Sequence, residues 1–179
     1  MVRKGMVRMD SLGNKLAEAR KRKGLTQEQL AMVLPVSRET IAKYETEQRK
    51  FQKDLYESIA HGVDDPEYYF ATWTAATGYV SIPYFNGDYI DRHPTSMKYL
   101  VQGEMNEALK QLERVCWSKP IKMHNEQERE NAKQVIHEIL DAAALMINLV
   151  AVLCTEYKFS MKTIYKIWWS SIKTRRWKE

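Results

Sequence analysis

LTQEQLAMVLPVSRETIAKYE, residues 25–45, holds two short segments of helical periodicity on either side of Leu34-Pro35-Val36-Ser37. Each segment opens on a hydroxyl residue. Thr26 followed three positions later by Gln29 is a capping-box pattern, so a helix is expected from there with Leu30, Ala31 and Leu34 facing inward. Pro35 stops it, because proline lacks the N–H and clashes with the preceding turn. Ser37 caps a second helix that ends near Thr46, with Ile41 and Tyr44 inward and Arg38, Glu39, Thr40 and Lys43 bunched on the outer side. Two abbreviated helices joined this tightly form a helix-turn-helix, and the second presents a polar face suited to a major groove.

The flanks complete a unit. Ser11 caps a helix to about Lys23, with Leu12, Leu16 and Ala19 at helical spacing and Gly24 closing it. A fourth helix spans about Gln52 to His61 with Leu55 and Ile59 inward, and Gly62 ends it. Asp65-Pro66 reads as the cap and first position of a fifth, reaching about Thr72. Residues 1–10 form a basic arm in which Arg3, Lys4 and Arg8 either embrace DNA or fray in solvent. Residues 73–94 lose the periodicity and read as an aromatic connector. Its Asn86-Gly87 is a hairpin signal, weakened by Pro83.

Residues 95–179 read as a second helical domain. Thr95 is taken to cap a helix to about Trp117, carrying Met97, Leu100, Val101, Met105, Ala108, Leu112 and Val115. From about Glu126 to Tyr157, Ala132, Ile136, Ile139, Ala143, Met146, Val150, Leu153 and Tyr157 recur in steps of three and four. Val135, Ala142, Leu149 and Val152 form a second line beside them. So broad an apolar surface must pack on the preceding helix, on the following one or on a copy of itself. Ile136, Ile139, Ala143, Met146, Val150 and Leu153 are therefore the expected oligomerisation residues. A last helix capped by Ser160 bears Ile164, Ile167, Trp168 and Ile172. Among its lysines and arginines the three Trp residues suit nucleic acid, a membrane surface or plain packing on the long helix. Trp168 is expected in the core, Trp169 and Trp177 more exposed, and a membrane partner is not expected.

The chain has 179 residues, enough for one medium domain or two small ones. Charge is divided unevenly. Residues 1–62 carry 13 Lys/Arg against 8 Asp/Glu, residues 63–157 carry 8 against 14, and residues 158–179 carry 7 against 1. Basic ends around an acidic middle point to a polyanion, with solvated charge as the plainer alternative. Cys116 and Cys154 lie in apolar helical surroundings and read as reduced core residues of a cytoplasmic protein. The basic start lacks the apolar stretch of a signal peptide. The longest apolar run, Ile139 to Cys154, contains Asp141 and Asn148, so a buried helix is expected rather than a membrane span.

The stretch LGNKLAEARKRKGLTQEQLAMVLPVSRETIAKYETEQR, residues 12–49, resembles the Cro/phage-repressor (Xre-type) helix-turn-helix domain. Leu12-Gly13, Thr26-Gln27, Leu30-Ala31, Val36-Ser37 and Ile41 with Glu45 carry the likeness, which extends over residues 11–64. It implies a five-helix, lambda-repressor-like fold that binds double-stranded DNA. Arg38, Glu39, Thr40 and Lys43 would meet base edges; Gln27, Ser37, Arg49, Lys50 and Lys53 would meet phosphates; Arg20 would pair with Glu45. Two positions depart from the pattern. Pro35 stands where the family has a glycine in a left-handed turn, so this turn is expected to be made differently. Glu47 replaces another frequent glycine and adds an anion to the loop.

No catalytic constellation emerges. His61, His93, His124 and His137 are scattered without zinc spacing, and there is no glycine-rich phosphate loop, so neither enzyme, metal nor cofactor is expected. The expectation is an all-α bacterial or phage-encoded regulator, nucleoid-associated, with an amino-terminal DNA-binding domain (11–72), a connector (73–94) and a helical oligomerisation domain (95–179). It would bind an operator as a homodimer or higher homo-oligomer. The alternative is an antitoxin-like or partner-binding subunit whose distal helices hold a toxin, an antirepressor or another protein.

Overall fold

A computed structural model describes residues 11–178. The expected basic arm at residues 1–10 lies outside them. The architecture is all-helical, with no strand among the described residues: α1 (Leu12–Arg22), α2 (Gln27–Val33), α3 (Arg38–Glu45), α4 (Tyr56–Val63), α5 (Pro66–Thr77), α6 (Pro94–Glu113), α7 (Glu126–Glu156) and α8 (Met161–Thr174). Short 3-10 turns precede α4 and α7. The backbone separates into two compact units, residues 11–83 with 160–178, and residues 84–159.

In the first unit, Leu16, Ala19, Leu30, Leu34, Ile41, Tyr44, Ile59 and Tyr68 make one buried core. The expected caps are present: Ser11 accepts from the Asn14 N–H and Asp65 from the Tyr68 N–H. Asp65 is itself buried and takes a paired hydrogen bond from Arg22, at 2.7 and 3.0 Å, which ties α5 to α1. Gly13 is required by closeness, since a Cβ there would stand 2.1 Å from the Tyr44 carbonyl oxygen. Gly62 does not end α4 as expected. The helix runs through it to Val63 and Asp64 takes the left-handed cap, with φ of 46°. Gly62 instead makes room for Leu34, whose Cδ2 would meet an added Cβ at 2.4 Å.

Other boundaries also move. α5 continues past Thr72 to Thr77 because Ala75-Ala76 offers no break before Gly78. α6 is capped by His93 with Pro94 at its first position, not by Thr95. It stops at Glu113, which leaves Cys116 exposed in the following turn rather than in a core; Cys154 is buried. The weak hairpin signal at Asn86-Gly87 yields only a single turn, closed by Ile90 N–H on the Gly87 carbonyl.

In the second unit, α6 and α7 form an antiparallel pair around Met97, Val101, Leu145 and Val152, with Phe85 and Ile90 of the connector against them. Fully buried Asn148 accepts from the Phe85 N–H at 2.9 Å and donates to the Ala144 carbonyl, pinning the connector to α7. α7 is long and apolar enough by composition to cross a bilayer, yet Val135, Ala142, Leu145 and Val152 are buried along it. α8, expected with the distal domain, belongs to the first unit, where the Lys162 N–H donates to Asp64 at 3.1 Å.

The two glycine environments make opposite predictions. Gly13→Ala should cost about 1–3 kcal/mol, because α1 must leave α3. Gly103→Ala, on an exposed turn of α6 with nothing near the added methyl, should gain up to about 1 kcal/mol. Urea titration of both variants measures the contrast.

Candidate nucleic-acid interface

The expected reading helix rests on two caps and one ion pair. Thr26 accepts from the Gln29 N–H at 3.1 Å while the Gln29 side chain accepts from the Thr26 N–H at 2.8 Å. α2 then ends at Val33, and Leu34 is extended, as the residue before a proline must be. No residue of the α2–α3 turn has positive φ. Pro35 thus replaces the usual glycine by an extended route. Ser37 caps α3, accepting from the Thr40 N–H at 3.3 Å, with the two hydroxyls 3.2 Å apart.

Arg20 of α1 grips Glu45 at the end of α3 through two parallel bonds, Nε to Oε1 at 2.7 Å and Nη2 to Oε2 at 2.9 Å. Its third nitrogen donates to the Leu25 carbonyl, and Gln27 Nε2 donates to Glu45 Oε2 at 2.9 Å. One carboxylate therefore ties α1, α2 and α3 together. Burial alone would push the Glu45 carboxyl up. The hydrogen bonds from Arg20 and Gln27, with the Arg20 charge, outweigh it and hold the group below the usual carboxylate range.

The candidate contact residues are not all alike. Arg38 and Lys43 are exposed and Thr40 half-buried. Arg38 Nε lies 2.7 Å from Glu28 of α2, a pair the sequence reading missed; both side chains are more than half exposed. Glu39 is exposed and its carboxyl is lowered by its own N–H and by Ser37, which makes it a stabiliser of the α3 amino end as much as a base contact. Of the expected phosphate contacts, Gln27 and Ser37 are engaged internally as above. Arg49, Lys50 and Lys53 are exposed, with the Arg49 guanidinium 5.8 Å over the Tyr44 ring. Glu47 adopts the left-handed backbone that the glycine of the resembled pattern would, with φ of 60°, and accepts from the Asn14 amide at 2.9 Å. Met32 and Val33, at the end of α2, are 82% and 62% exposed and were not anticipated.

Glu104, Glu138 and Asp141, from α6 and α7, gather their carboxylates within 4.8 Å. All three are exposed or half-exposed, and they read as a solvated acidic patch.

The lowered Glu45 carboxyl sets a pH signature. A depressed folded-state pKa adds stability that is complete above the ordinary glutamate value of about 4.3 and is lost as pH falls through the lower, folded value. Glu45→Ala should therefore be less stable than the parent by about 1–3 kcal/mol at neutral pH, and the gap should narrow in acid. Thermal melts from pH 7 downward measure it.

A family model described as a helix-turn-helix domain matches residues 11–67. No curated protein and no solved structure matches the chain. The chain carries a helix-turn-helix domain over about the first third of its length.

Proposed function

We propose that the protein is a sequence-specific transcriptional regulator of the phage-repressor, Xre/Cro kind, which binds an operator as a dimer in the cytoplasm and has no catalytic role. The observation that carries this reading is the short helix α3. It is capped by Ser37 and buried through Ile41 and Tyr44. Arg20–Glu45 holds its far end, and Arg38, Glu39 and Lys43 are turned to solvent. A guanidinium at Arg38 matches guanine O6 and N7, and Thr40 can meet either a base or a phosphate. Gln27 and Ser37 at the two helix amino ends, with Arg49, Lys50 and Lys53, suit phosphates.

One such domain buries too little surface for tight specific binding, which takes about 1,000–2,500 Å² of protein. The distal unit supports a second copy. Of the expected oligomerisation residues, Ile136, Ile139 and Met146 are 57%, 43% and 38% exposed, and Ala143, Val150 and Leu153 half-buried. The inner line of α7 is the one that packs within the chain. The outer line keeps the alternating four-and-three spacing from Ile139 to Leu153 that suits a helix pair. The same face favours the second reading, a subunit whose distal helices hold a different protein.

Arg38→Ala should lose about 1–3 kcal/mol at one base pair of the operator and spare nonspecific binding, whereas Gln27→Ala should weaken all duplexes evenly. Fluorescence anisotropy on matched and substituted duplexes separates the two; parent-like binding by both variants would refute the assigned face.

Ile139→Asp with Met146→Asp should turn a dimeric parent into a monomer in sedimentation equilibrium. A monomeric parent would favour the partner-binding subunit.

A further inference from the structure

Helix α8 has a surface that DNA reading does not use. Met161 is buried and Tyr165 and Ile172 half-buried, so this line faces the interior of the first unit. On one flank, Ile164, Ile167 and Trp168 are 38%, 63% and 48% exposed, which overturns the expectation that Trp168 lies in the core. The physical reason is position. Met161, Tyr165 and Ile172 already occupy the inward line, and Trp168 falls at its edge. On the opposite flank, Lys162, Lys166, Trp169 and Lys173 succeed one another at steps of four, three and four, with Lys178 Nζ 4.4 Å over the Trp169 ring. From Lys158 to Lys178 there are seven basic residues and no acidic one.

An apolar flank opposite a lysine-rich flank calls for a partner that is anionic at its surface and apolar beneath. A DNA duplex supplies the anion without the apolar layer. α8 is also fastened away from the reading helix. The Lys162 N–H bonds Asp64, between α4 and α5, and its ammonium bonds the His61 carbonyl of α4, while α3 is carried by α1 and α2. A bilayer surface supplies both layers. Tryptophan, moreover, favours the boundary between them.

We propose that α8 is an interfacial helix that binds an anionic lipid bilayer. Ile164, Ile167, Trp168 and Trp177 enter the acyl boundary. Lys166 and Lys173 ride above, within the ~10 Å over which headgroup charge is felt. The inference does not rest on the DNA reading.

Vesicle flotation with the full chain tests it. Mixed phosphatidylglycerol–phosphatidylcholine vesicles should carry the protein, with a blue shift of tryptophan emission, and pure phosphatidylcholine vesicles should not. Lys166→Glu with Lys173→Glu should lower the partition roughly tenfold or more. Ile167→Ser with Trp168→Ser should lower it comparably with charge unchanged, and duplex binding should persist in both. Trp177→Ser, beyond the end of α8, should also weaken partition and serves if an α8 variant misfolds. The proposal fails if the parent stays in the aqueous layer with anionic vesicles at low salt. It fails equally if the Ser variants float like the parent, since attraction is then charge alone. It fails too if the charge reversal abolishes duplex binding and leaves flotation intact, which would make α8 a nucleic-acid surface.

Discussion

The Glu45 carboxylate is the point on which the amino-terminal unit depends. It sits at the last residue of α3 and holds two nitrogens of Arg20 from α1 and the amide of Gln27 from α2. Removing water from a carboxylate is costly, and the cost is met only because the guanidinium fork matches both oxygens. The pair is worth more as a fixture than as a stability term. An eight-residue helix has little intrinsic tendency to persist, so its direction must be set by packing and by its ends. Ser37 sets one end, Glu45 the other, and Ile41 and Tyr44 the buried side.

Holding the helix this way shapes how its outer side can work. The Gln27 amide has two N–H groups, so in the proposed docking one keeps its bond to Glu45 while the other is the one offered to a phosphate. Arg38 likewise shares its charge with Glu28 across the turn. Exposed pairs of this kind are weak, worth well under about 1 kcal/mol, so a guanine or phosphate competes with Glu28 readily. On the proposed reading of Arg38, this loose neighbouring anion discourages indiscriminate phosphate contact without locking the arginine away from a base.

What the sequence disclosed and what it concealed follow from the range of the interactions. The starts of α1, α2, α3, α5 and α8 depend on contacts three residues apart, such as Thr26 with Gln29, and were legible for that reason. The start of α7 was read from its apolar spacing, and its Asn125–Glu128 capping box was not seen. The His93 cap was legible in principle, since Pro94 marks a first helical position, but Thr95 offered a competing hydroxyl. The weakened hairpin signal at Asn86-Gly87 comes to nothing because the Phe85 N–H is satisfied by Asn148, sixty-three residues away, and not by a facing strand. Which line of α7 packs inside the chain could not be read, because both lines are apolar at helical spacing. The placement of α8 turns on Asp64 and Lys162, ninety-eight residues apart, and local pattern is silent on that. At the candidate interface the residue types on α3 were visible in advance. Their internal partners, Glu28 for Arg38 and Glu45 for Gln27, were both hidden; only the Arg20–Glu45 pairing was implied by family likeness.

The central claim is that α3, so braced, reads duplex sequence from a paired molecule. Selection of bound duplexes from a random pool, at moderate ionic strength with the full chain, tests it most directly. The account predicts enrichment of one sequence with two related half-sites about one helical turn apart. Recovery of a pool with no sequence preference would contradict it.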